Sequence, residues 1–423
     1  MKIPEKPDSP RTMNGHLKIL YAAGPGDLVD THRLSKEGKP APFEMAIGCS
    51  EMFLDWCDRT GAEAHLVSSN PRREIFREGR YVVENRPRSA SYWANGLRHH
   101  IASVAYGLSI VGTALRERPN VVIVDSGTTH WIVLSLLKLM SIPVIAVLHN
   151  TLWPAGFPPK RWSARLLMAL DGLFFRRFAA ATVCVSPECE RQVRLVARVP
   201  NGPIFQSRSQ FRRGFLDILP PPPPHELRPF RILYVGRIEE SKGVFLILSM
   251  AEELERQMPG QVTWKIFGHG GASEELARQV AQRKLGNLIE IAGKLSPEKA
   301  REAYGWAHAT VVPTTSQFNE GLAMTAVEAN LSGRPTVLSE VVPAGEVLGA
   351  AAIVVPADNV DGFVAAFQRL ITEPSYYDAH RRATEAVQEQ FYDISQGLAA
   401  VLGRAISTVL PSDEVSSNRV TAS

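Results

Sequence analysis

Short apolar runs recur along the chain, separated by stretches with helical spacing. In the first half they are Lys18–Ala22, His65–Ser68, Val121–Asp125, Val144–Leu148 and Thr182–Val185. In the second half they are Arg231–Val235, Trp264–Phe267, Leu288–Ala292, Thr310–Val312, Thr336–Leu338 and Ala352–Val355. Apolar strands alternating with helical patterns predict parallel sheets covered by helices. Both series open alike, with Leu17-Lys18-Ile19-Leu20-Tyr21 and Phe230-Arg231-Ile232-Leu233-Tyr234, each soon followed by glycine. That echo predicts two similar doubly wound domains. Five consecutive prolines, Pro220 to Pro224, stand between them. They can join neither a helix nor a central strand, so 216–229 reads as a stiff extended linker between residues 1–215 and 230–394. A helical stretch follows near 395–410. Residues 411–423 are small, polar and charged, and are expected to be disordered. The long apolar stretch Trp131–Leu148 is interrupted by Lys138 and Pro143. It predicts a helix and then a buried strand, not a membrane span of ~20 residues.

Composition adds an asymmetry. The formal charge of +4 conceals 26 Lys/Arg against 18 Asp/Glu in residues 1–200, and 21 against 25 in the remainder. A basic first half suits anionic substrates or an anionic membrane surface, although an ordinary solvated surface reads the same way. Lys160 to Phe178 mixes cations and aromatics at roughly helical spacing, which fits either a membrane-resting helix or a packed one with solvated arginines. Four cysteines without C-x-x-C spacing fit a reduced compartment. The polar start, Met1 to Pro10, lacks an apolar signal core. A cytoplasmic protein is expected, at most peripheral at the inner face of a membrane, with no nucleic-acid partner.

Ligands of open α/β sheets bind beyond the carboxyl ends of the strands. Gly24, His130, His149, Arg237, Gly268 and Gly293 all fall there. Glu320 and Glu328 bracket a run of small and apolar residues after the strand Ala309–Pro313 and a polar loop. A helix is expected from Gly321 or Leu322, which places Glu320 at its mouth beside free N–H groups and Glu328 ~12 Å further along. Upstream, Gly236 ends a buried strand and two cations follow, Arg237 and Lys242, ahead of Gly243.

These two segments resemble the E-x7-E and G-R-(x4)-K-G elements of the retaining GT-B glycosyltransferases, in particular glycosyltransferase family 4. Gly268-His269-Gly270 and Gly293 lie between them in the family's order. The resemblance covers most of residues 230–400 and, more loosely, the N-terminal half. It implies α/β GT-B architecture, two Rossmann-like domains facing a cleft, with the helix near 395–410 crossing back onto the N-terminal domain. It further implies a nucleotide-sugar donor of the UDP or GDP type and a glycan or lipid-linked acceptor. Arg237 and Lys242, after Gly236, would grip the donor diphosphate, helped by backbone N–H groups of Leu322 and Ala323 beside Gly321. Glu320 would touch the donor sugar, Glu328 the ribose, and Lys294 and Leu295 the base, with Gly268 nearby. His149 matches a histidine near the anomeric carbon. Gly24 and Gly26 match the glycine loop after the first strand, and His130 is a candidate for acceptor binding. About fifteen residues, Lys36 and Lys39 among them, separate that loop from a helix expected near Phe43, long for such a connection.

Blander roles compete. Arg237 and Lys242 could be surface cations paired with Glu239 or Glu240, Glu328 could lie on a solvated helix face, and His149 could be a satisfied core residue. Because both cations lie in a loop beyond the strand, the diphosphate reading expects their loss to remove most catalysis while stability changes by roughly 0.5 kcal/mol or less. No D-x-D pair occurs, so neither a metal nor another cofactor is expected. The alternatives to a transferase are an inactive GT-B protein that binds nucleotide sugar, which departures at Ala323 and Val341-Val342 keep open, and a nucleotide-sugar epimerase.

Overall fold

The computed structural model describes residues 17–37, 46–89, 96–294 and 296–410. Lys39, Phe43, Leu295 and the tail from 411 lie outside the described residues. The first sheet contains β1 (Lys18–Pro25), β2 (Glu63–Ser69), β3 (Glu74–Glu78), β4 (Tyr81–Arg86), β5 (Val121–Asp125), β6 (Val144–Leu148), β7 (Ala179–Cys184) and β8 (Ile204–Gln206). Its order is β3-β4-β2-β1-β5-β6-β7-β8, parallel except for the β3/β4 pair. The second contains β9 (Phe230–Val235), β10 (Val262–Phe267), β11 (Ile289–Gly293), β12 (Ala309–Val312), β13 (Thr336–Ser339) and β14 (Ala352–Val355), in the order β11-β10-β9-β12-β13-β14, all parallel.

Alternation along a strand explains why the central runs are apolar throughout. In β1, Ile19 and Tyr21 enter one core while Leu20 and Ala22 enter the core on the opposite face. The second sheet is likewise covered on both sides: Ile232 and Tyr234 of β9 face one core and Leu233 the other. The C-terminal helix Leu398–Val409 leaves the second sheet and returns to the first, burying Val401, Leu402, Ala405 and Ile406 beside Ile19 and Phe53.

Two local expectations are corrected. The glycine loop after β1 is short, because a helix at Leu28–Lys36 follows it directly. Asp27 supports the first turn by accepting from the N–H of Asp30 at 3.0 Å. The next helix is Cys49–Thr60. Trp131–Leu148 forms a short helical segment, Trp131–Leu139, and then β6. Among the described residues, no helix is long and apolar enough to cross a membrane.

Candidate functional site

In the second sheet, β9 and β12 are neighbours whose connections run in opposite directions, so their carboxyl ends open a crevice. Close backbone approach dictates glycines there. A Cβ on Gly268 would sit 1.8 Å from the Gly236 carbonyl oxygen, and one on Gly243 would sit 1.9 Å from that of Pro313. Gly243 has φ 76° besides, which favours glycine. This packing carries the loop after β9 onto the end of β12. Lys242 Nζ donates to Glu320 Oε2 at 2.6 Å, and Thr314 Oγ1 donates to the same oxygen at 3.1 Å. The ammonium lies 3.8 Å from the Phe318 ring centre, a cation–π contact. Arg237 is more exposed; it pairs with Glu239 at 2.9 Å and lies 5.3 Å from the same ring. Arg237 thus has the acidic neighbour foreseen for a surface cation, whereas Lys242 has a catalytic candidate as its partner.

The helix after Glu320 runs Met324–Leu331, so it starts later than Gly321 or Leu322 and Glu320 is not in its mouth. Two constraints hold the chain out of the helix. Ala323 has φ 68°, and a Cβ on Gly321 would lie 1.8 Å from the carbonyl oxygen of His149, in the other domain. Leu322 is buried between them. Glu328 is buried too, not on a solvated face, and accepts from Tyr304 Oη at 2.8 Å. Burial pushes its carboxyl up to about 7, against the opposing pull of that hydrogen bond.

The first sheet contributes the ends of β1, β5 and β6. Asp125 accepts from Tyr21 Oη at 3.0 and 3.2 Å and lies 3.2 Å from His149 Nε2. The His149 N–H donates to Ser126 Oγ at 3.0 Å. Burial works against a charged His149 ring, but the Asp125 carboxylate outweighs it and raises the pKa above its ordinary value. Beyond His149 the domains join directly. Thr151 N donates to the Glu320 carbonyl at 3.3 Å, and Asn319 Nδ2 to that of Leu152 at 3.2 Å.

Glu320, Lys242, Gly321 and His149 are therefore brought together, with Gly236, Arg237, Leu322 and Ala323 around them. Glu328 stands behind, in the helix. Lys294 is exposed after β11, close in sequence to Gly293, which accepts from the Gly268 N–H at 2.8 Å. Gly24 lies near the end of β1, and Gly26 is fastened to its own domain, its N–H donating to the Ser69 carbonyl at 3.1 Å. His130 faces another pair of imidazoles, with its Nε2 3.0 Å from His100 Nδ1. Burial, then His100 and His99, lower its pKa. No group of three or more His, Cys, Asp or Glu able to hold a metal ion occurs among the described residues.

Sequence reasoning missed Asp125, Tyr21, Thr314, Phe318 and Tyr304. Asp125 carried a usable signal, a carboxylate closing a run of buried apolar residues at a strand's carboxyl end. Tyr21, Phe318 and Tyr304 had none, since their partners are distant in the chain, and Thr314, six residues before Glu320, sits in a polar loop without a motif of its own.

This arrangement of two open sheets around a cleft is that of a GT-B glycosyltransferase, and the chain matches known families over both halves. Residues 49–206 match the glycosyl transferase 4-like domain, and residues 218–390 match the glycosyl transferases group 1. The chain belongs to these GT-B glycosyltransferases. It is 24% identical over 306 residues to a glycogen synthase of Mycobacterium tuberculosis, covering 70% of each chain. The fold is similar to that of sucrose-phosphate synthase from Thermosynechococcus elongatus, with TM-score 0.66, 15% identity, and 92% of this chain and 98% of that one covered. It is also similar to Anabaena HepE in complex with UDP, with TM-score 0.62, 16% identity, and 93% and 100% covered.

Proposed function

We propose that the protein transfers a sugar from a nucleoside-diphosphate sugar of the UDP or GDP type to an acceptor hydroxyl, with retention of configuration and without metal. The acceptor belongs to glycan, polysaccharide or glycolipid synthesis. The observation that carries this reading is the contact of Lys242 with Glu320 at 2.6 Å, on a loop whose Gly321 abuts His149. A cation and a carboxylate from two distant segments meet there, and the backbone of His149, whose imidazole pairs with Asp125 at 3.2 Å, closes on the same loop from the facing sheet.

Arg237 and Lys242 serve the diphosphate. Negative charge grows there as the glycosidic bond breaks, so cations favour the transition state over the ground state. Glu320 positions the donor sugar once the diphosphate takes over Lys242. Glu328 receives the ribose hydroxyls, and His149, held by Asp125, lies beside the anomeric carbon. The diphosphate departs from the face that the acceptor enters, and its leaving oxygen takes the acceptor proton. The UDP bound to HepE supports the donor class, and the glycogen synthase supports a glycan product. The relatives favour neither an inactive binding protein nor an epimerase.

The test is a panel of UDP- and GDP-sugars in EDTA, read as nucleoside diphosphate released, with NMR of the product's anomeric configuration. One donor should turn over, with its configuration kept. Loss in EDTA with rescue by magnesium or manganese overturns the metal-free route. An inverted product overturns retention, and tight nucleotide binding without turnover of any donor overturns the enzyme reading.

A further inference from the structure

We propose that the outer face of the N-terminal domain, built from the helices Leu97–Glu117, Ser135–Leu139 and Trp162–Arg177, docks on an anionic lipid bilayer. All three pack their inner sides on the same face of the first sheet, through residues such as Tyr106, Ile110, Leu137, Phe174 and Phe175. A helix in that position ordinarily turns a polar side to water. Here the outer sides are apolar as well. In the first helix Leu97, Ile101, Leu108 and Leu115 are all exposed, Ile101 at 59%. At 3.6 residues per turn they fall within about 40° of one line, a stripe running the length of the helix. Trp162, Leu166, Leu170 and Leu173 form a second exposed stripe, with Trp162 at 78%. The middle helix and the residue after it add exposed Leu136, Leu139 and Met140. Such a surface exceeds the scattered single apolar residues of an ordinary exterior.

Charge identifies the occupant. Residues 97–118 and 131–178 hold nine Lys/Arg and two acids. Of the acids, Glu117 is engaged by His65 Nδ1 at 2.8 Å, and Asp171 is buried under the Ile132 N–H at 3.3 Å. The charge offered to solvent by these segments is therefore positive. Apolar stripes interleaved with Arg and Lys, and a tryptophan at the rim, suit the acyl–headgroup boundary of a bilayer with anionic lipids. Both stripes begin on the side of the first sheet where the strands' carboxyl ends lie, since Leu97–Glu117 leads into the start of β5 and Trp162–Arg177 into the start of β7. Leu97 is close to His100, which contacts His130, and Trp162 follows the loop that leaves His149. Docking thus holds the cleft's rim near lipid. Delivery of a lipid-linked acceptor there rests on the transfer reading; the docking itself does not.

The test is co-sedimentation of the full chain with vesicles of phosphatidylcholine, alone or with about 30 mol % phosphatidylglycerol, at ~0.05 and ~0.5 M salt. At low salt, binding to the anionic vesicles should be at least tenfold stronger, and high salt should screen it. Ile101→Glu with Leu166→Glu should lower binding tenfold or more. Independently, Arg165→Glu with Arg176→Glu should abolish the anionic preference. Both variants should keep the parent's melting temperature. Equal binding to the two vesicles, or none, overturns the proposal. So does a parent dimer that Ile101→Glu with Leu166→Glu dissociates while vesicles capture nothing, since the face then belongs to a second copy.

Discussion

Replacing Lys242 with methionine tests the ion pair at the centre of the site, because it keeps the aliphatic length and removes the charge. The Lys242 side chain is 16% exposed and that of Glu320 9%, with 2.6 Å between them. Breaking a fully buried pair costs about 3–5 kcal/mol, since the remaining charge is left without its counterion. Residual exposure and the surviving Thr314 hydrogen bond reduce this to about 2–3 kcal/mol. This exceeds the roughly 0.5 kcal/mol expected of a loop cation, because Lys242 has a nearly buried carboxylate as its partner. Urea unfolding followed by tryptophan fluorescence should show the loss for Lys242→Met. Adding Glu320→Gln should restore most of it, because the amide needs no counterion and still accepts from Thr314. Nucleoside diphosphate release should behave differently. Lys242→Met should lose about 10²–10³ in turnover, and the stability-restored double variant should stay inactive. An unchanged urea midpoint in Lys242→Met, or failure of Glu320→Gln to restore it, would refute the pairing.

Arg237→Ala should leave stability within about 0.5 kcal/mol, because an exposed pair with Glu239 contributes little, yet it should cost about 10²–10³ in turnover; parent-like kinetics would contradict this. Glu328 holds its proton more tightly folded than unfolded, so its contribution is complete below pH ~4.5 and declines as pH rises through about 7. Stability of Glu328→Gln relative to the parent should therefore improve by about 3 kcal/mol between pH 4 and 8, and a flat difference in urea midpoints would oppose the assignment. In Asp125→Asn the charge that raises the His149 pKa is gone while burial remains, so its NMR titration midpoint should fall below the parent's.

Much of the fold was legible because burial on both sheet faces leaves continuous apolar runs. Val121–Asp125, Val144–Leu148 and Ala352–Val355 coincide with observed strands. β3 and β4 escaped because Glu74–Glu78, the edge strand, and Tyr81–Arg86, its neighbour, carry charges, and Glu84 and Arg86 answer each other at 2.7 Å. The helix Leu28–Lys36 escaped through neglect of Asp27 as a capping residue. In the site, the acids and cations were visible as motifs, but their pairing was not. Lys242 meets Glu320 across 78 residues of chain, and the later helix start is imposed by His149, from another domain. Local pattern holds no record of such contacts.

The apposition of Gly321 and the His149 carbonyl also makes that glycine a spacer gauge between the two halves of the molecule. A single methyl at Gly321 would act as a wedge, since its carbon would fall 1.8 Å from the carbonyl oxygen and neither backbone can yield alone. Joining this C-terminal half to the N-terminal half of a relative would therefore depend less on matching donor residues than on the height of one peptide oxygen. A graft that raised it would separate two intact half-sites.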